Sequence, residues 1–547
     1  MENIMNRFWW RNKPRQRGIH WTTWSTLSLP KIAGGMGFRD LAKFNIALLA
    51  KPGWNLIVNP NSLLARVYKA KYFPNGDFLS ARLGSYSSYT WKSIWCSRGL
   101  LEQGLGWRIG NGSSINIWQD AWIAGHGNGR VSGVSPDFHY SKVSELIDFH
   151  THTWKHELCR TLFTPLQAAQ VFCIPLPLCP STDLCIWRGD PSGLYSVRSG
   201  YRWLINTELA VSGDPNSLEE DGYNRLCKSF WSVSLPTKVK VFFWRFIHNL
   251  LPTFKNLRIR QINVNPQCLF CHASEESMLH LIYECPFVQQ ILSRLDLVST
   301  SISIDQNFIL WLSNLFYSLN LLKRKYFIVS LWAIWGSRNK LLHEGISQTV
   351  EDIVLFSKMY IQEVDASNLP RPSPSTVRND RWSPPAIGLI KANFDASFDI
   401  GSLSSVSGII VRNEEGLIMA AGIYPNRFVA NPELAEAVAC EQTLIFLKDL
   451  GFRRAVVEGD SLSVIFKLCH PLVSRSILSV HLNNILRRQR DFDHISFSHV
   501  SRESNKAAHL LARFGRSLSE SRFWLEEAPS EVEPATLQDR WWVDTPD

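Results

Sequence analysis

No stretch of this chain is apolar for long enough to cross a membrane. The longest uncharged, apolar-leaning run is NFILWLSNLFYSLNLL, Asn307 to Leu322. It contains polar residues, runs into KRK, and falls short of the roughly 20 residues a spanning helix needs. The opening MENIMNRFWWRNKPRQRG lacks the apolar core of a secretory signal. Cysteine is sparse, 11 in 547 residues, which argues against a disulfide framework. Charge is modest too: 19% of residues, with 58 Lys and Arg against 48 Asp and Glu, a net +10. That excess permits a polyanionic partner without requiring one. No tandem repeat is present. The expectation is an intracellular protein, nuclear or cytoplasmic, with no signal peptide, no transmembrane helix and no membrane partner.

What is present is a globular composition, 45% hydrophobic, in a chain long enough for two to four domains. Residues 1–125 are rich in Trp and Gly, and the Trp residues read most simply as large core side chains. Residues 180–290 hold GLYSVRSGYRWL, VKVFFWRFIHNLLPT and a Cys/His cluster. Residues 300–365 read as helical, with YFIVSLWAIWGSRNKLL. Residues 366–386, dominated by Pro, Ser and Arg, read as a linker. A compact domain follows at 387–516, and 517–547 form an acidic, Trp-bearing tail without an assigned role. Basic clusters occur at Arg11 to Arg17 (RNKPRQR) and Arg487 to Arg490 (RRQR). Each is either a solvated surface or a phosphate-contacting strip.

The domain after the linker has a legible order. LIKANFDAS alternates as a strand, with Lys391, Asn393 and Asp395 on one side and Ala392 and Phe394 on the other. SVSGIIVRN is a second strand, and EEG turns it into LIMAAGI. NPELAEAVACEQTLIFLKDLG is a helix, with Asn431 as N-cap, Pro432 at the first helical position and Gly451 past the end. RAVVEGD and HISFSHV are strands. RESNKAAHLLARFG closes the domain as a helix, with Ala507, Leu510, Leu511 and Phe514 at helical spacing. The order β-β-β-α-β-α-β-α implies an α/β fold, a mixed sheet flanked by helices.

Three acids occupy similar places in this order. Asp395 lies on the first strand, Glu436 in the first or second turn of the first helix, and Asp460 at the end of a strand before a helix. Strand ends and helix starts converge at one edge of such a sheet. Three carboxylates there repel one another unless a divalent cation joins them, and hard oxygen donors favour Mg²⁺ or Mn²⁺. Taken singly, each acid reads equally as a surface carboxylate or a cap.

A second cluster is CLFCHASEESMLHLIYECPF. Cys268 and Cys271 sit two residues apart, and His280 and Cys285 follow at spacing suited to a tetrahedral Zn²⁺. Four ligands leave no open position, so the expected role is structural. His272 is a spare donor. A redox role for the Cys pair lacks a surrounding βαβ pattern, and ordinary core Cys and His is the plainer alternative.

The element order with NFDAS, ELAEA and EGDS resembles the type 1 ribonuclease H fold over about 387–516. The resemblance implies a mixed five-stranded sheet. It also implies that Asp395, Glu436 and Asp460 hold two metal ions that cleave the RNA strand of an RNA–DNA hybrid, with His499 assisting proton transfer or product departure. In that family a His, an Asn and a fourth acid close the site. His499 and Asn505 fit the first two places, and His509 occupies the acid's place. A neutral imidazole can ligate a metal but brings no negative charge.

YSVRSGY, PTKVKVFFWRFIHNLLPT and the Cys/His set resemble the zinc-binding domain that follows the polymerase in plant non-LTR (LINE-type) reverse transcriptases. GGMGFRDLAKFNIALLAK, WQDAWI, LWAIWGSRN and WSPPAIGLIKANFDAS fit the same polyproteins. The chain contains no Asp-Asp pair, and a polymerase palm needs paired carboxylates for its metals. The resemblance therefore implies a truncated or adopted retroelement fragment without DNA synthesis. Two functions follow as expectations: a retroelement-derived RNA–DNA hybrid ribonuclease using Mg²⁺ or Mn²⁺, or a non-catalytic nucleic-acid-binding relic of the same fold because His509 replaces the fourth acid. A transcription factor built on the zinc module is disfavoured, as no basic recognition helix follows the ligands.

Overall fold

The computed structural model describes residues 1–11, 18–123, 125, 127–134, 136–137, 139–179, 181–212, 218–297, 308–367, 381–470 and 475–540. Most of the first basic run, most of the Pro/Ser linker and the last seven residues of the tail lie outside them. The chain divides into two compact units: residues 1–45 with 204–375, and residues 46–203 with 376–547.

The first unit is helical. Helix α1 (Thr237–Ile247) buries Val239, Phe242, Phe243, Phe246 and Ile247, the i, i+3, i+4, i+7 stripe of its VKVFFWRFI sequence. Helix α2 (Pro286–Arg294) starts at Pro286, whose missing N–H costs nothing at a first turn. Helix α3 (Leu321–Glu344) starts at Asn320, whose side chain accepts from Lys323 N, and ends at Gly345 with φ 69°. Its middle, Phe327 to Ile334, is buried nearly all round, so it is the central rod against which α1 and α4 (Val350–Ser367) pack. Phe243 stacks on Phe246 and meets the rings of Phe230, Phe316 and Phe327. Within this apolar mass, Arg338 of α3 forms a two-pronged bond to Glu276 at 2.7 and 3.1 Å, both side chains almost fully buried. Glu276 also accepts Phe254 N, so the pair pins the Cys/His segment to the helical core.

The second unit begins with a Trp-rich, loop-dominated stretch. Its indoles work as clamps. Trp91, Trp95, Trp118, Trp122 and Trp154 each donate Nε1–H to a main-chain carbonyl, of Leu83, Ala81, Tyr140, Ile117 and Ile174 respectively. A Trp therefore supplies apolar area and satisfies a loop carbonyl together. Strand β1 (Leu105–Arg108) pairs antiparallel with β2 (Leu184–Trp187). The GWRIGNGSS turn wraps Asp183, whose carboxylate accepts the N–H groups of Gly110, Gly112 and Ser114 at 2.8, 2.8 and 2.9 Å.

The rest of the unit is an α/β domain. Its strands are β3 (Ile390–Asp399), β4 (Ser404–Arg412), β5 (Ile418–Arg427), β6 (Arg454–Gly459), β7 (His494–His499) and β8 (Arg522–Leu525), in the order β8-β5-β4-β3-β6-β7. The pairs β3/β6 and β6/β7 are parallel and the others antiparallel. The sheet has six strands where five were expected: the sixth, β8, comes from the acidic tail. Helices α5 (Pro432–Asp449), α6 (Leu462–Cys469) and α7 (Leu478–Arg488) bury one face with Ala392, Phe394 and Ile409. Helices α8 (Lys506–Phe514) and α9 (Glu533–Asp539) cover the other with Val406, Ile410 and Ile423. Between Asp460 and His494 there are two helices where one was expected. Pro471 follows His470, and a residue before proline disfavours helical geometry, so α6 stops there.

Candidate functional site

Strand β3 is buried on both faces, and Asp395 on it is only 4% exposed. Its antiparallel partner is Gly408. A Cβ at Gly408 would stand 2.3 Å from Ala512 N, so this glycine lets α8 lie directly on the sheet beside Asp395. On the opposite face, Asn431 caps α5 by accepting Leu434 N at 2.9 Å, which places Glu436 in its second turn. Asp460 is the residue after Gly459, and Gly459 pairs with Phe394 across the parallel β3/β6 ladder, which sets Asp460 next to Asp395. One oxygen from each of Asp395, Glu436 and Asp460 lies within 4.8 Å of the others.

The electrostatics of this triangle are unfavourable as it stands. Burial, then the charges of Asp395 and Asp460, push the Glu436 carboxyl up to about 9, against a bond from Ala396 N–H. Its Oε2 is buried with no hydrogen-bond partner. Burial, then the charge of Asp460, raise the Asp395 carboxyl, against a bond from His509. A set of hard oxygens with an orphaned buried acceptor fits a divalent cation.

Helix α8 supplies the remaining groups. Asn505, its N-cap, donates Nδ2–H to Phe394 O at 2.8 Å, while its Oδ1 is buried without a partner. One turn on, His509 Nδ1 lies 2.8 Å from Asp395 Oδ2. The mutually close ligand atoms are those of the three acids, and His509 joins them through Asp395. His499 ends β7 at an exposed rim, its Nε2 3.2 Å from the main-chain oxygen of Asp460. Sequence reading passed over Arg502, whose charge acts on Asp395. A lone Arg in a loop carries no local signal. It also missed the polar layer beside Asp395: Asn393 bonds Glu458, Trp382 and Arg412 at 2.9 to 3.0 Å, and Lys391 pairs with Glu458 at 2.8 Å. Of the RRQR strip, Arg487 donates to Cys179 Sγ and Arg488 to Glu441, while Arg490 is exposed.

The Cys/His cluster closes in the first unit. Cys268 and Cys271 flank a tight turn in which His272 N bonds Cys268 O at 2.9 Å. His280 stands in a π-helical turn, and Cys285 caps α2. The Sγ atoms of Cys268 and Cys285 are 4.0 Å apart, Cys271 Sγ is 3.3 Å from His280 Nε2, and all four donors lie within 4.8 Å of one another. Glu284 Oε2 stands 3.5 Å from His280 Nδ1, the place of an orienting carboxylate. The hydrogen bond to Cys285 and then burial raise the Cys268 thiol, while the same bond lowers Cys285. His272 is exposed and lies outside the set.

Two families match parts of the chain. Residues 195–291 match the family described as zinc-binding in reverse transcriptase, and residues 393–515 match the family described as reverse transcriptase-like. The chain belongs to the reverse-transcriptase-related proteins that join a zinc-binding domain to a ribonuclease H-like domain.

Along most of its length this reverse-transcriptase-related chain is similar to an Arabidopsis thaliana protein named "Putative ribonuclease H protein". The two are 26% identical over 562 residues, which span 95% of this chain and 84% of that protein. An uncharacterized mitochondrial protein of Arabidopsis thaliana is 40% identical over 124 residues, 22% of this chain and 80% of that one. Among solved structures, ribonuclease H1 of the halophilic archaeon Halobacterium salinarum is similar at 26% identity. That likeness covers 24% of this chain and 98% of the archaeal one, with a TM-score of 0.23. The zinc-binding match contains Cys268, Cys271, His280 and Cys285, and the second match contains Asp395, Glu436, Asp460, His499, Asn505 and His509. Strand β8 and helix α9 lie beyond it.

Proposed function

We propose that the ribonuclease H-like domain hydrolyses the RNA strand of an RNA–DNA hybrid, and that the zinc-binding domain is a structural Zn²⁺ module of the same protein. The observation that carries the reading is the convergence of Asp395, Glu436 and Asp460 within 4.8 Å, with Glu436 Oε2 buried and unpartnered. Asp395, Glu436 and Asp460 are the residues that would hold Mg²⁺ or Mn²⁺. Bound there, the ions supply an activated water and charge neutralisation for in-line displacement at a phosphodiester. Asn505 holds Phe394 O and so fixes the strand beside Asp395. His499, exposed at the rim, would assist by proton transfer or by helping the product leave. Exposed arginines such as Arg490 serve phosphate contacts, with 2′-hydroxyls read in the minor groove.

A second reading is favoured by one observation. His509 hydrogen-bonds Asp395 Oδ2 and brings no carboxylate of its own to the acid cluster. On that reading the domain binds hybrid without cutting it. A cleavage assay with labelled hybrid in Mg²⁺ and in Mn²⁺ separates the two. Cation-dependent cleavage that disappears in Asp395→Asn is the result expected for the hydrolase. Tight hybrid binding with no cleavage in either metal overturns hydrolysis in favour of the binding relic.

A further inference from the structure

Away from both candidate sites, the second unit presents a surface where charge of one sign and bare aromatic rings coincide. Residues 63–92 carry five cations, Arg66, Lys69, Lys71, Arg82 and Lys92, against one acid, Asp77. All five cations are exposed, and among the described residues none of them is ion-paired. Asp77 is turned to Ser80, whose N and Oγ lie 2.7 and 2.8 Å from its Oδ1. Tyr86 and Tyr89 belong to the same stretch and are 98% and 87% exposed. Rings left this far outside the core add almost no packing to the fold.

A fixed frame brings these side chains together. Helix Leu63–Tyr72 and helix Tyr89–Cys96 close around Trp91, which is fully buried. Tyr72 stacks on Trp91 with centroids 4.5 Å apart and planes 4° from parallel, and Tyr68, Phe73 and Phe78 complete the ring cluster. The Tyr72 hydroxyl meets Ser88 Oγ at 2.8 Å, and Ser88 is the N-cap of the second helix, its side chain accepting Trp91 N. Lys71 lies over the Tyr72 ring, its Nζ 5.4 Å from the centroid. Lys92 stands one turn above Ser88 and donates its N–H to Ser88 O at 2.9 Å. Tyr89, three residues before Lys92, shares its helix face, away from the buried Trp91 and Ile94. Lys71, Tyr89 and Lys92 therefore issue from around one point, the Tyr72–Ser88 contact.

Unpaired cations select a polyanion, and exposed rings among them select one with flat apolar faces. A single-stranded nucleic acid has both, whereas a duplex keeps its base faces stacked on one another. Residues Ser85 to Thr90 read SYSSYT, six hydroxyls in a row, and Ser85, Tyr86, Tyr89 and Thr90 are exposed. Such hydroxyls pair with the 2′-hydroxyl of ribose, which DNA lacks. Leu63 and Val67 are also exposed on the first helix, so an anionic bilayer is the competing partner that the test must separate.

We propose that residues 63–92 form a docking surface for single-stranded RNA. Lys71 and Lys92 hold its phosphates, Arg66, Lys69 and Arg82 add attraction at longer range, and Tyr86 and Tyr89 take its bases. The proposal does not rest on the hydrolase reading, because the surface lies outside both family matches and shares no residue with the acids.

The test uses the full chain with no divalent cation added. Fluorescence anisotropy reads binding of a labelled adenosine dodecamer and of its deoxyadenosine counterpart, and co-sedimentation reads binding to phosphatidylserine vesicles. Saturable binding of the RNA is expected, tighter than that of the DNA. Tyr89→Ala is expected to weaken it about fivefold or more, the loss of one stacked base. Lys71→Gln combined with Lys92→Gln is expected to lower the slope of log affinity against log salt by about 1.4, two phosphate contacts on a single strand. Circular dichroism checks folding, and Tyr86→Ala replaces Tyr89→Ala if the latter does not fold. No saturable RNA binding, DNA binding as tight as RNA binding, or RNA binding that these variants leave unchanged overturns the proposal. So does tighter binding to vesicles than to RNA that is lost in the same variants, which identifies a bilayer as the partner. RNA binding that falls in Arg490→Gln and not in the lysine variant also overturns it, moving the strand to the ribonuclease H-like domain and leaving the hydrolase reading intact.

Discussion

Asp395 and His509 concentrate the chemical question in one hydrogen bond of 2.8 Å. Asparagine in place of Asp395 has nearly the same shape and no charge for a cation. Asp395→Asn is expected to keep the fold and lower hybrid cleavage by at least about a hundredfold, as loss of a central metal ligand does. His509→Asp restores a fourth acid where the imidazole now stands, and it is expected to raise Mg²⁺-dependent cleavage. Circular dichroism with cleavage rates checks both. A well-folded His509→Asp that still binds hybrid with no gain in rate shows that the imidazole is not the limiting feature. A different buried acid, Glu441, gives a pH signature. Burial works to raise its carboxyl, but bonds from His481 at 2.7 Å and from Arg488 outweigh it, so it sits below the usual value. A depressed acid contributes stability above its unfolded value and loses it as pH falls through the lower folded one. Glu441→Gln is therefore expected to cost about 2 kcal/mol near neutrality. The gap from wild type should close as pH falls below about 4.5, the ordinary carboxyl range. Chemical denaturation at several pH values measures it.

At the scale of elements, two contacts position the candidate sites. The first is α8 on β4. A methyl group at Gly408 would meet the main chain of Ala512 at 2.3 Å and of Ala508 at 2.7 Å, and main chain cannot swing aside. Gly408→Ala is expected to cost about 1–3 kcal/mol, typical of overpacking. It should also lift Asn505 and His509 away from β3, visible as a changed His509 resonance in NMR. The second is the Cys/His turn against α2. With four donors inside 4.8 Å, removal of one thiolate opens the set. Cys271→Ser is expected to lower bound zinc measured by atomic absorption and to make residues 265–290 protease-sensitive. A variant that keeps one equivalent of zinc and resists protease would remove Cys271 from the ligand set.

At the scale of the molecule, the acidic tail turns out to be part of the α/β domain. Strand β8 covers the edge of β5 from Arg522↔Ile423 to Leu525↔Ala420, so β5 is not a bare edge. Helix α9 delivers Asp539 to Arg412 at 2.7 Å, and that guanidinium is fully buried beneath the ring of Trp382 at 3.8 Å. Removing one partner of a buried pair leaves an uncompensated charge. Asp539→Ala is expected to destabilise this domain by about 3 kcal/mol or more, read as a lower denaturation midpoint. An unchanged midpoint would mean that water reaches Arg412.

Local chemistry was enough to read much of this from the residues. The alternation of LIKANFDAS, the Asn431-Pro432 helix start and the Cys-x₂-Cys spacing each depend on neighbours a few positions away, so strands, caps and candidate ligands were legible in order. The resemblance carried by NFDAS, ELAEA and EGDS singled out the three acids. What the residues could not determine depends on distant partners. The sixth strand pairs β8 with a segment about a hundred residues earlier. The Asn393–Glu458–Arg412 layer draws on three strands at once. The hydrogen bond from Arg108 on β1 to Ser479 on α7 spans more than 360 residues of chain. Each is a long-range juxtaposition, in which burial and charge act between residues that no local period relates, and only the tertiary structure decided it.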